Sequence, residues 1–304
     1  MSSGAKQILQ IAKETVIGTT PSPFARQTIA FTSTSLNQEA EKTASESIVD
    51  SRLQSASMVT KASYGGDISA EAVYGAYDDL IAAAAFNAWA TNSLTFGGVN
   101  RQTFSILYGY ADVNNYHTFA GMHVNSFAIN IPSNGKISFT FGFMGQKRTV
   151  ATSAPAGTIT AASTNKKLSN VSVGEILLDG VSTIGNACIS AFSFNWDNSM
   201  QVQECLGKGL EVGAILETAA VGTGSFTVAW GSKAAEYYEK QFTNTPVTLV
   251  IPITDADGNK YTLTIPKAEV SAPLATGSKT DILQTTFEYT VVDQAPTLVR
   301  TPKA

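Results

Sequence analysis

Residues 64–92, YGGDISAEAVYGAYDDLIAAAAFNAWATN, change period halfway along, and this constrains the fold more than any other feature of the chain. Ile68, Ala70, Ala72 and Tyr74 alternate with Asp67, Ser69 and Glu71, the period of two of a strand with one buried face. Gly75 breaks the alternation. Beyond it Leu80, Ile81, Ala84, Ala85 and Ala88 fall at helical spacing, with Phe86 and Trp89 on a second face. Asp78 and Asp79 lie in the first turn, where the helix dipole accounts for negative charge. The spacing predicts a strand running directly into a helix of about four turns, at 3.6 residues per turn. A helix apolar on nearly all sides needs two covered faces, and another chain is expected to cover one of them.

The unit recurs. In residues 224–244, GSFTVAWGSKAAEYYEKQFTN, Phe226, Val228 and Trp230 alternate with Ser225 and Thr227, and Gly231 ends the strand. Ala234, Ala235, Tyr238 and Phe242 then form an amphipathic stripe, with Lys233, Glu236, Glu239 and Lys240 facing out. Four blocks match in order: Ile29 with Ile189, Ile68 with Phe226, Tyr116 with Tyr261, and Phe139 with Phe287, at offsets of 160, 158, 145 and 148. Ordered matches with drifting offsets predict two copies of one β-rich fold. The divisions expected are an N-terminal arm over 1–26, a first copy over 27–148, a linker over 149–170, a second copy over 171–293 and a Pro-interrupted tail over 294–304. A short helix is an alternative for the arm around Ile8 to Val16. Asn134-Gly135 predicts a two-residue hairpin turn, followed by the alternating Ile137, Phe139, Phe141 and Phe143.

With 304 residues, the chain is long enough for two domains of average size. Charged residues make up only 14%, against about 25% in an ordinary soluble chain, which fits a protein that hides surface in an assembly. The net charge of −4 leaves no basic surplus to grip nucleic acid. Cys188 and Cys205 are too few for a disulfide scaffold and are expected as reduced core thiols. No stretch approaches the roughly 20 apolar residues of a membrane span. The opening MSSGAKQILQIAKETVIG lacks a signal peptide's apolar core, so the chain is expected to be made and kept in a cytoplasm.

No group of residues suggests catalysis. His117 and His123 lie six apart in a strand region, on the same face, without converging ligands for a metal. Asp255, Asp257 and Gly258 make a hairpin turn, since the glycine is misplaced and the bidentate acid missing for a calcium loop. Gly222 and Gly224 lack the third glycine and helix of a dinucleotide loop. Trp89 and Trp230 fit core positions, while Trp196 at a strand end is left open. Two polar stretches, 37–62 and 199–217, are expected to project as long hairpins.

Residues 26–36, RQTIAFTSTSL, the charged hairpin with Ser45, Glu46, Ser47 and Arg52, and GGDISAEAVYGAYDDLIAAAAFNAW together resemble the tail tube (major tail) proteins of long-tailed, siphovirus-type bacteriophages. The resemblance covers most of residues 20–148 and, more weakly, 185–293. It implies a mainly β (α+β) fold of two tandem tail-tube-type β-sandwich barrels, each flanked by one α-helix. It implies a non-enzymatic virion subunit without cofactor or membrane insertion, assembled in the host cytoplasm into stacked rings that conduct double-stranded DNA without specific binding. An acidic lumen would let the DNA slide. Implied partners are other copies of the chain, a tape-measure protein and a tail terminator. The family more often has one barrel per chain and six chains per ring, so two barrels imply three chains in a pseudo-sixfold ring. The hairpins imply ring-stacking candidates at Glu39, Glu41, Lys42, Glu46, Asp50 and Arg52, and at Glu204, Lys208, Glu211 and Glu217. Another self-assembling surface or fimbrial β-protein, a carbohydrate-binding module and a small β-fold hydrolase remain alternatives.

Overall fold

In a computed structural model, which describes residues 3–303, strands form where side chains alternate. Ile68 and Ala70 turn one face of the strand Ser57–Glu71 into the core, and Phe139, Phe141 and Phe143 do the same for Ser138–Gly145. These two strands pair antiparallel, with Ile68 opposite Phe141. Ser138–Gly145 also pairs with Asn115–Ile131, which turns back onto Thr103–Tyr110. Ser33–Thr34 and Asn37–Ala44 occupy the other edge of Ser57–Glu71. Lys147–Ala151 returns to the first half of Asn115–Ile131.

The second half pairs its strands in the same order. Val221–Ala229 lies between Ile189–Asp197 and Gln284–Val291. Gln284–Val291 pairs with Lys260–Ser271, which forms a hairpin with Val247–Thr254, and Thr297–Thr301 returns to its first half. The two halves join where Ile189–Asp197 runs along Asn115–Ile131, with Trp196 opposite Phe127. They meet again where Thr297–Thr301 pairs with Ser93–Thr95. Hydrophobic packing is continuous through the joint, where Phe96 lies against Phe127, Phe194 and Trp196.

The helices depart from expectation in length and cover. Helix α1 (Asp78–Ala84) has seven residues, about two turns rather than four. Phe86 enters the left-handed region at φ 51°, the Phe86 N–H donates to Ala83 O at 3.1 Å and the Asn87 N–H to Ala82 O at 3.1 Å, a Schellman-type stop without glycine. Leu80 to Ala84 are all buried within the single chain, so no second chain is needed to cover them. Helix α2 (Ser232–Lys240) buries only Ala234 and Tyr237; Tyr238 is half-buried and Phe242 is exposed.

The ends are strands. Gln7–Lys13 pairs along the whole of Thr103–Tyr110 instead of forming an arm or a helix. Its Leu9, Gln10, Ile11 and Ala12 are all buried, so both faces are covered and period gives no guide to type. Thr297–Thr301 is likewise a strand within the expected tail. No two-residue turn forms at Asn134-Gly135: Asn130 pairs with Ser138, and Asn170 holds the wider loop through bonds to both the N–H and C=O of Gly135.

Three single-residue expectations also change. Both cysteines are free but exposed, not in the core. His117 and His123 face opposite sides of the sheet, because Ile106 pairs with Phe119 while Phe104 pairs with Met122, leaving one extra residue between the histidines. Trp196 is the buried tryptophan, its indole N–H donating to Asn198 Oδ1 at 3.1 Å, whereas Trp89 and Trp230 are half-buried.

Candidate assembly surfaces

The strands Asn37–Ala44 and Ser57–Glu71 form the first long hairpin, with a register shift between Glu41 and Lys42. The base of Ser57–Glu71 packs into the sheet through Ala62 and Tyr64. Beyond it both strands are exposed, and residues 45–56 form an irregular tip. Glu39, Glu41 and Lys42 lie exposed on the first strand, and Glu46, Asp50 and Arg52 lie exposed in the tip. Apolar residues lie among and beside these charges. Ile48, Val49, Leu53, Met58 and Val59 are all exposed large hydrophobics, and such clusters mark contact surfaces.

The second polar stretch does not project. Gln201–Gln203 and Ala214–Leu216 form a small separate sheet, folded onto the base of the first hairpin. Ile215, Val212 and Met200 are buried, the Val212 N–H donates to Gln146 O at 3.0 Å, and the Tyr64 hydroxyl donates to Leu210 O at 3.0 Å. Met200, Val212 and Ile215 hold it down. Glu204 pairs with Lys61 at 3.3 Å and Glu217 pairs with Arg101; Lys208 and Glu211 are exposed in its turn. Between the two hairpins runs a cleft of about 390 Å³, reached by Glu39, Lys61, Tyr64 and Glu204.

At the joint between the halves, Asp78 does more than complement the helix dipole. Its Oδ2 accepts from Arg300 Nη1 at 2.6 Å, and its Oδ1 accepts from the Tyr261 hydroxyl. That hydroxyl in turn accepts from the Gly75 N–H at 2.8 Å. The Arg300 guanidinium lies 4.6 Å from the centre of the Trp89 ring and donates to Thr91 O at 3.1 Å. Burial, and then the Asp78 charge, push the Tyr261 hydroxyl well above its ordinary pKa, so it stays a donor at neutral pH. On the far side of the helix, the Asn198 amide donates to Ala84 O at 2.9 Å. Tyr261, Asn198 and Arg300 all belong to the second half, and they hold the two ends of α1. Their only sequence signal was a charged residue in the alternating TLVRT near the end of the chain.

The histidines have separate surroundings. Burial lowers His123, whose Nδ1 lies 2.9 Å from Gly121 O. His117 lies beside Arg148, and burial followed by that charge lowers it too. A buried carboxylate that sequence inspection missed, Glu14, accepts from Ser105, Thr103 and the N–H groups of Gly18 and Gly121 at 2.6–2.9 Å, tying the first strand to two others. Among the described residues, no three metal-ligating side chains converge, and no helix is long and apolar enough to cross a membrane.

No curated protein matches the chain. The family model described as phage tail tube protein matches residues 4–291. That span takes in the first half, the second half through Gln284–Val291, both helices and the projecting hairpin. The chain belongs to the phage tail tube proteins, a family of structural proteins of the bacteriophage tail.

Proposed function

We propose that this chain is a doubled tube subunit: two tandem barrels, each with one helix, three chains closing a ring of six barrels, and rings stacking into a conduit for double-stranded DNA in the virion tail. The shared order of strand pairing in the two halves is the observation that carries this reading. The strand at 33–34 and 189–197, the strand before each helix, the following hairpin, the next strand and the returning strand recur with the same neighbours. The likeness extends past the 27–148 and 171–293 divisions. Gln7–Lys13 adds to Thr103–Tyr110 as Leu177–Leu178 adds to Val247–Thr254, so units of 7–151 and 173–301 describe the repeat better. Assembly in the host cytoplasm, a tape-measure protein inside the tube and a terminator at its end complete the reading.

Stacking is assigned to the first hairpin. It projects, and it mixes both signs of charge at Glu39, Glu41, Lys42, Glu46, Asp50 and Arg52 with the exposed Ile48, Val49 and Leu53. Glu204 and Glu217 are tied into ion pairs within the chain, so of the second group Lys208 and Glu211 are the free-standing candidates. Concentrated purified protein is expected to form hollow tubes in negative stain; dispersed single chains would contradict the reading. Replacing Ile48, Val49 and Leu53 together by serine is expected to leave rings but shorten or abolish tubes. Tubes of unchanged length would remove the hairpin tip from the stacking contact.

A further inference from the structure

We infer that rings close by antiparallel pairing of residues 34–39 of one chain with residues 271–276 of the next, in the register that joins the two halves within the chain. This rests on the ring reading above and names its edges. The joint inside the chain pairs Phe192 with Ile131 and continues to Asp197 with Ser126. Thr34 pairs with Ile68 as Phe192 pairs with Phe226, and Asn37 with Gly65 as Asn195 with Thr223; every offset is 158. Residues 192–197 therefore correspond to 34–39. Ile68 pairs with Phe141 as Phe226 pairs with Phe287, so 138–145 correspond to 284–291 at an offset of 146. Ser126 pairs with Gly142 as Ser271 pairs with Glu288, and 271 − 126 equals 145, so residues 126–131 correspond to 271–276.

Among the described residues, neither counterpart has its outer partner. Ser33–Thr34 and Asn37–Ala44 pair only with Ser57–Glu71, and strand pairing of the other segment stops at Ser271. Leu274 corresponds to Ile129. Ile129 is 3% exposed at the joint, whereas Leu274 is 57% exposed. This apolar side chain lacks the cover that its counterpart has.

The backbone points the same way. The Asn198 N–H donates to Asn125 O at 2.8 Å, so alternate residues along the joint, Trp196 with Phe127 and Phe194 with Ile129, are the hydrogen-bonded pairs. Their counterparts are Gln38 with Ala272 and Leu36 with Leu274. The Leu36 N–H is held only by Thr34 Oγ1 at 3.2 Å, and the Ala272 N–H by Gln241 Oε1 at 3.3 Å. Nearby side chains stand in for a missing strand, and the Gln241 amide nitrogen is buried without a partner. Pro273 corresponds to Ala128, a residue whose N–H faces away from the joint, so the proline removes no donor from the outer edge. An open edge on each end of a repeat gives a head-to-tail contact that a ring uses up completely.

Glu39 and Ser271 are the counterparts of Asp197 and Ser126, a non-hydrogen-bonded pair whose Cα separation of about 4.5 Å suits a disulfide. The test introduces Glu39→Cys and Ser271→Cys together in a chain carrying Cys188→Ser and Cys205→Ser. Oxidation of assembled tubes is expected to link chains into ring-sized sets on a non-reducing gel, and neither single variant should do so. Tubes without cross-links would overturn the pairing and leave the ring reading standing. Failure of the unmodified chain to form rings would overturn both. If the double variant does not assemble, amide exchange on the unmodified chain decides the matter. The amides of Leu36, Ala272 and Leu274 should slow at least tenfold in tubes relative to free chains, and equal exchange rates would overturn the pairing.

Discussion

Phe127→Ala is expected to lower stability by about 3–5 kcal/mol, the cost of emptying a fully buried aromatic site that cannot collapse. Phe127 is completely buried. It stacks on Phe141 at 5.1 Å, meets Phe139 edge-on at 5.5 Å, and lies opposite Trp196 across the joint. Its strand is paired on both sides here, with Ser138–Gly145 and with Ile189–Asp197, so neither neighbour can move in without breaking a ladder. The cavity would therefore loosen the first half and the joint together. Urea unfolding checks this: the midpoint should fall with the slope unchanged if the halves still unfold as one. A loss below about 1 kcal/mol, the range of tolerant sites, would mean that the joint is not packed as described.

Asp78→Ala is expected to cost about 3 kcal/mol, and by a different route. Asp78 is 14% exposed at its side chain and Arg300 is 29% exposed. The pair is too sheltered to be worth as little as a surface ion pair, and too open for the upper end of the buried-pair range. Removing the carboxylate strands the Arg300 charge and leaves the Tyr261 hydroxyl without its acceptor. Asp78→Asn keeps the shape and one acceptor and should lose less. In a double-mutant cycle with Arg300→Ala, coupling of about 1 kcal/mol or more is expected. Additive losses would show that Asp78 and Arg300 do not stabilise each other.

The sequence carries the strands wherever one face is buried and the other is not. Ile68, Ala70 and Ala72, and the Phe139 to Phe143 face, alternate because each strand has one wet side. Where both sides are covered, as at Gln7–Lys13, alternation vanishes and the segment reads as an arm. The length of α1 is hidden because Phe86 supplies the left-handed stop that glycine usually marks. The apolar character of that helix reflects burial within the chain itself, while Asn198, Tyr261 and Arg300, which hold its two ends, lie more than a hundred residues away and without local pattern. Of the candidate surfaces, the 37–62 hairpin is legible as a long polar stretch between strands. Residues 199–217 have the same mixed charge, and only Met200, Val212 and Ile215, sparse in a polar segment, reveal that they fold back. The edges at 34–39 and 271–276 are not legible, since an unpaired edge depends on which strands pair and not on composition.

The account depends on one repeated sheet joint, used once within each chain and once between chains. Mass measurement or subunit counting by electron microscopy on isolated rings tests it most directly. Three chains of 32.0 kDa per ring are expected, with six similar lobes around the lumen; six chains per ring, with the second half placed outside the first, would contradict it.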